Sequence, residues 1–109
     1  MNRSGNEPAA FDEYGFLVDP EQWNRDLARE LARKLGVGEL GEDHWRIIDH
    51  IRQHYMKSRS LLWMEHTCRE LGMERHCVKR LFKGPTEAWK IAGLPNPGEE
   101  ARNYMLNEE

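Results

Sequence analysis

At 109 residues, with 39% hydrophobic and 32% charged side chains, the chain supports one hydrophobic core under a densely charged surface and excludes a two-core architecture. A net charge of −3 excludes a general affinity for polyanions, so any nucleic-acid role must rest on a local patch. No apolar run approaches the roughly 18 residues that span a bilayer, the opening MNRSGNEPAA lacks the apolar centre of a secretory signal, and two cysteines make no disulfide framework; a cytoplasmic protein with reduced thiols and no membrane partner is expected.

Residues 1–10 carry Gly, Pro, Ser and Asn with little to bury and read as a disordered lead-in. FDEYGFLV then places apolar groups on either side of an Asp-Glu-Tyr-Gly turn, which predicts a short β-hairpin with Gly15 at a positive φ. In DPEQWNRDLARELARKLG, Asp19 as N-cap, Pro20 at the first helical position and Gly36 as terminator predict a first helix, with Trp23, Leu27, Leu31 and Leu35 as its buried stripe. A second helix is predicted in EDHWRIIDHIRQHYMK, where His44, Ile47, Ile48, Ile51 and Tyr55 share a face bordered by Trp45 and Arg52. LLWMEHTCRELG reads as a third helix closed by Gly72, ERHCVKRLFKG as a fourth closed by Gly84, and PTEAWKIAG as a fifth that starts at Pro85 and stops before Gly93. The expected fold is mainly α, a small helical bundle with no repeat and no strand–helix alternation. Trp23, Trp45 and Trp63 read as core, and without a phosphate loop or cofactor motif no cofactor is expected.

Three blocks, FDEYGFLVDPEQW, LGEDHWRIIDHIRQHY and LFKGPTEAWKIAGLPNP, carry a resemblance. In these, and in their order, the chain resembles the DsrC/TusE family of sulfur-relay proteins, which includes the gamma protein of dissimilatory sulfite reductase. The resemblance covers residues 11–97 and leaves 98–109 as an extended C-terminal tail. It implies a helix-turn-helix-like core and a mobile C-terminal arm that carries persulfide sulfur from a donor to a partner enzyme. The implied carrier is a cysteine next to the end of that arm, joined in the sulfite-reductase type by a second cysteine just before the Lys/Arg-x-Ala-Gly-Leu-Pro segment. Here those positions fall at about Glu100 and at Trp89, and nine residues follow Glu100. Neither side chain can attack a persulfide, so no catalytic residue transfers to this chain through the family's usual positions.

The short CRELGMERHCVKRLF connection gives an ordinary helix-turn-helix spacing, and the fourth helix turns Arg75, His76, Lys79, Arg80 and Lys83 outward. From Arg69 to Lys90 six basic residues meet three glutamates, a locally positive segment in an acidic chain. Such a face suits DNA phosphates and guanine edges, and equally suits a solvated surface or an acidic protein partner. Cys77, beside Arg75, His76 and Arg80 at a helix start, is the candidate reactive thiol; its other reading, shared with Cys68, is a small buried hydrophobe. His50 and His54 on one helix, and the looser set His66, Cys68, His76 and Cys77, lack the ligand spacing of a metal site, so none is expected. Trp89 and Lys90 are candidates for partner contact, although for Trp89 core packing is the favoured reading. The sequence is thus read as a regulatory or binding module of sulfur metabolism without carrier thiols, with DNA or a sulfite-reductase or sulfurtransferase partner. The alternative is a sulfur-relay protein that uses Cys77.

Overall fold

The computed structural model describes residues 9–58 and 64–107; most of the expected lead-in, the start of the third helix with Trp63, and the last two residues of the tail lie outside them. Asp12 organises the first element. Its Oδ1 accepts the backbone N–H groups of Tyr14 (2.9 Å) and Phe16 (3.0 Å), while its own N–H donates to the Phe16 carbonyl (2.9 Å). Gly15 completes the reversal at φ 91°. The expected hairpin is therefore a bridged turn, with one antiparallel bridge between Phe11 and Leu17 rather than two strands. Phe16 and Leu17 point into the core.

The first helix begins later than its sequence signals indicate. Asp19 does cap a helix start, but of a single 3-10 turn at Pro20–Gln22; Trp23 then extends at ψ 142°, and Asn24 caps α1 (Arg25–Lys34) by accepting the Leu27 N–H at 2.8 Å. Two capping residues five positions apart divide what reads as one helix. Trp23 is thus off the helix that was expected to carry it. The buried face of α1 is Ala28, Leu31 and Ala32, with Leu27 and Leu35 at its margin.

In α2 (Glu42–Ser58) Ile47, Ile48 and Ile51 are fully buried, as their spacing requires. His44 fastens the start of this helix: Nδ1 accepts the Gly41 N–H, Nε2 donates to the Leu81 carbonyl, both at 3.0 Å, and the ring meets Phe82 edge-on. The short helices α3 (Met64–Glu70) and α4 (Cys77–Phe82) follow. Arg46 of α2 donates to the Leu71 carbonyl at 2.7 Å and so satisfies the end of α3. The left-handed residue that stops α4 is Lys83, at φ 78°, not Gly84, which instead precedes α5 (Pro85–Ile91) in an extended conformation.

Helix α5 is the centre of the bundle, packing on α1, α2, α4 and α6 (Glu99–Asn107). It buries Pro85, Ala88, Trp89 and Ile91 in seven residues, a broad apolar face opposite a half-buried polar one of Thr86, Glu87 and Lys90. The architecture is a small, mainly helical bundle. Where a mobile arm is implied by the family resemblance, residues 99–107 form a helix with Met105 buried in the common core.

Candidate functional site

The segment after α5 is held from three directions. Gly93, at φ 72°, turns the chain out of the helix; its N–H donates to the Lys90 carbonyl and the Leu94 N–H donates to Trp89. The Trp23 indole N–H donates to the Ile91 carbonyl (2.9 Å), and Arg52 donates to the Ala92 carbonyl (2.8 Å) and to Pro20 (3.3 Å). The Arg52 guanidinium also lies 4.2 Å from the Trp23 ring centroid. Burial pushes its pKa down and Asp49 works against that. Orphan carbonyls at the end of α5 are thus satisfied by side chains from two distant parts of the chain. Arg52 is a residue that sequence reasoning placed only at the edge of an apolar face; its position one turn past Ile48, beside the buried stripe of α2, is the sole signal for it.

Trp89 stands at 1% exposure, among the largest buried side chains. Its indole N–H donates to the Pro95 carbonyl at 2.7 Å, and its ring meets Tyr55 edge-on at 5.8 Å. This burial agrees with core packing, the favoured of the two readings of Trp89, and rules out a partner anchor there: the indole is a spacer between α2, α5 and the turn. Lys90 is half-buried with Nζ over the Phe16 ring at 5.2 Å, and Glu100 is exposed in the first turn of α6. Of the two positions where the resemblance places thiols, one is therefore packed core and the other open surface.

Cys68 of α3 and Cys77 of α4 are joined in a disulfide, both with negligible exposure. This corrects the expectation of reduced thiols and of a free, reactive Cys77. The reason is tertiary: the turn at 71–76 folds α4 back on α3 until the two Cα atoms are 5.9 Å apart, within the range a disulfide requires. Outside the bond, His66, Arg69, Met73 and Arg75 line an open cleft of about 570 Å³.

The basic face is present as exposed side chains at Arg75, His76, Lys79, Arg80 and Lys83. Its support is weak for a recognition helix. Helix α4 has six residues, about 9 Å at 1.5 Å per residue, against the longer helix that major-groove insertion uses. Arg80 is committed to Glu74 (Nε–Oε2 2.5 Å), whose other oxygen accepts the His76 N–H. The Arg80 hydrogen bond, then that of His76, holds the Glu74 carboxyl below its ordinary range. His50 pairs with Glu70 at 2.8 Å, and no group of three His, Cys, Asp or Glu suited to a metal occurs among the described residues. No helix among them is long and apolar enough to cross a membrane.

A family model described as "DsrC like protein" matches residues 3–99. The sulfurtransferase TusE of Sodalis glossinidius is 33% identical over 106 residues, covering 89% of this chain and 96% of the relative. The TusE homolog of Haemophilus influenzae is 31% identical over 97 residues, 81% of this chain and 88% of its own length. Among solved structures, the oxidized gamma-subunit of the dissimilatory sulfite reductase (DsrC) from Archaeoglobus fulgidus superposes with a TM-score of 0.72 at 31% identity, covering 84% of this chain and 90% of that one. A crystal structure of dissimilatory sulfite reductase I matches with a TM-score of 0.76 at 28% identity, over 84% of this chain and 89% of that one.

Proposed function

The chain belongs to the DsrC-like family, and from that premise we propose that it acts in a sulfur relay, docking on a sulfurtransferase or a sulfite-reductase-type partner, with Cys77 as its sulfur acceptor once the bond to Cys68 is reduced. The observation that carries this reading is likeness over most of the chain to proteins named sulfurtransferase TusE, combined with a retained turn at Ile91–Pro95. DNA binding has no such support.

The chemistry follows from the two cysteines in the sequence. A dithiol reductant breaks the Cys68–Cys77 bond and leaves oxidised as its own disulfide, giving two thiols. The Cys77 thiolate then attacks the outer sulfur of a donor persulfide, R–S–SH, forming Cys77–S–SH and releasing R–S⁻. Arg75 and His76 precede Cys77 directly, so basic side chains flank the attacking sulfur. Cys77 is fully buried, and loading therefore requires the α3–α4 turn to open.

The test is intact-mass measurement of reduced protein after exposure to a persulfide donor. The expected result is a gain of about 32 Da, one sulfur atom, absent from Cys77→Ser and kept in Cys68→Ser. A second reading, docking without carriage, is favoured by the burial of both cysteines and by Trp89 and Glu100 at the family's thiol positions. No mass gain, together with retained binding to a relay partner, selects that reading and removes the first.

A further inference from the structure

The docked α6 closes a cleft of about 280 Å³ against the Asp12–Phe16 turn and α5. Lys90 of α5 and Arg102 of α6 both line it, with Tyr14, Phe16 and Leu106 as apolar walls. Neither cation has a carboxylate within ion-pair distance among the described residues. Each is instead positioned by an aromatic face: Lys90 Nζ lies 5.2 Å from the Phe16 centroid, and Arg102 Cζ lies 3.9 Å from that of Tyr14. An aromatic ring orients a cation without neutralising it. Arg102 spends one donor on the Asn96 side-chain oxygen at 3.3 Å, which leaves most of its fork unused.

Thr86 also lines the cleft, although its hydroxyl oxygen is itself buried away from the open space. The nearby carboxylate, Asp12, accepts the N–H groups of Tyr14 and Phe16 and the Asn96 amide, and makes no ion pair with either cation. Two positive charges and apolar walls in a volume below that of ordinary drug-sized pockets describe one class of occupant.

We propose that this cleft binds a small amphipathic anion, a carboxylate or sulfonate head on a short apolar body. The oxyanion takes the Lys90 ammonium and the free arm of the Arg102 guanidinium, and the apolar body lies between Phe16 and Leu106. This site is independent of the cysteine pair. Because one wall is α6, occupancy also holds the arm against the body.

The experiment titrates the full chain, isotope-labelled, with p-toluenesulfonate and with its neutral counterpart p-toluenesulfonamide while recording backbone amide NMR shifts. Saturable shifts confined to the neighbourhoods of Tyr14, Thr86, Lys90 and Arg102 are expected with the sulfonate, with at least tenfold weaker binding of the sulfonamide. Lys90→Met and Arg102→Gln should each weaken the sulfonate at least tenfold with the remaining spectrum intact. Lys90→Met is the decisive variant should Arg102→Gln release α6, because Lys90 lies on the central helix. Absence of saturable shifts, equal binding of the neutral compound, or unchanged affinity in Lys90→Met overturns the proposal.

Discussion

The indole of Trp23 lies against the bare Cα of Gly93, so close that an added Cβ would stand 2.5 Å from Trp23 Cγ and nearer still to Cδ1. The residues are 70 positions apart in the chain, and their contact seals the turn after α5 over the core. Gly93 also holds φ 72°, a region that L side chains rarely adopt. Gly93→Ala is therefore expected to lose about 3 kcal/mol or more, from overpacking added to backbone strain, seen as a large drop in the thermal midpoint. Trp23→Phe removes only the hydrogen bond to Ile91 and part of the ring, and is expected to cost about 1–2 kcal/mol.

Lys83 offers the opposite case. It ends α4 at φ 78°, a conformation that a residue with a Cβ adopts at a cost, although a glycine follows directly. Lys83→Gly should stabilise the fold by about 0.5–1 kcal/mol in urea denaturation, less whatever is lost where the lysine stem crosses Gly36. A destabilisation larger than that gain would show the stem contact to matter more than the strain.

These two positions also show what the sequence made legible and what it did not. The apolar period of α2 identifies Ile47, Ile48 and Ile51 as core, and Pro85 and Gly93 bracket α5, because these are local signals with local causes. The split of the first helix was hidden because Asp19 and Asn24 are both competent caps; the choice between them depends on Trp23 reaching Ile91, which no local pattern records. Lys83 in place of Gly84 was missed for a similar reason: α5 needs Gly84 extended at its start, so the left-handed turn falls one residue earlier. The cysteine pair depends on how α4 folds back on α3, and composition pointed the other way. The cleft at Lys90 and Arg102 joins three segments and has no motif at all.

Reduction of Cys68–Cys77 should be felt in stability before it is felt in chemistry. The bond closes a loop across a sequence separation of nine, for which the chain-entropy relation gives about 2.5 kcal/mol. Denaturation with and without a dithiol reductant should show a loss of that order, matched by the double variant Cys68→Ser with Cys77→Ser. Equal stability in both conditions would mean that the pair is not bonded in solution.

Asp12 sets an acid limit. Burial alone pushes its pKa up, but hydrogen bonds from Phe16, Asn96, Tyr14 and Gly15 outweigh it, and the net value is below the ordinary aspartate range. A carboxyl with a depressed folded-state pKa contributes stability that is fully present above its unfolded value, about 4, and is lost as the pH falls through the lower folded value. Chemical denaturation across that range should show wild type losing stability toward acid faster than Asp12→Asn, the difference between them shrinking as the pH drops. Since Asp12 also receives the Asn96 amide, acid should loosen the approach to α6 as well as the turn.

The two positions where the family resemblance implies thiols differ in how readily one could be introduced. Trp89 fills the space between α2, α5 and Pro95 with a fully buried indole, so Trp89→Cys removes most of a large core side chain and is expected to cost about 3–5 kcal/mol. Glu100 is exposed in the first turn of α6 and makes no packing contact with the core cluster, so Glu100→Cys should change stability by less than about 0.5 kcal/mol. Its thiol would be open to a persulfide donor with no opening of the α3–α4 turn. Intact-mass measurement should therefore show rapid sulfur uptake by Glu100→Cys in a background lacking Cys68 and Cys77, and slow uptake by wild type after reduction. Equal rates would mean that burial of Cys77 is no barrier to sulfur transfer.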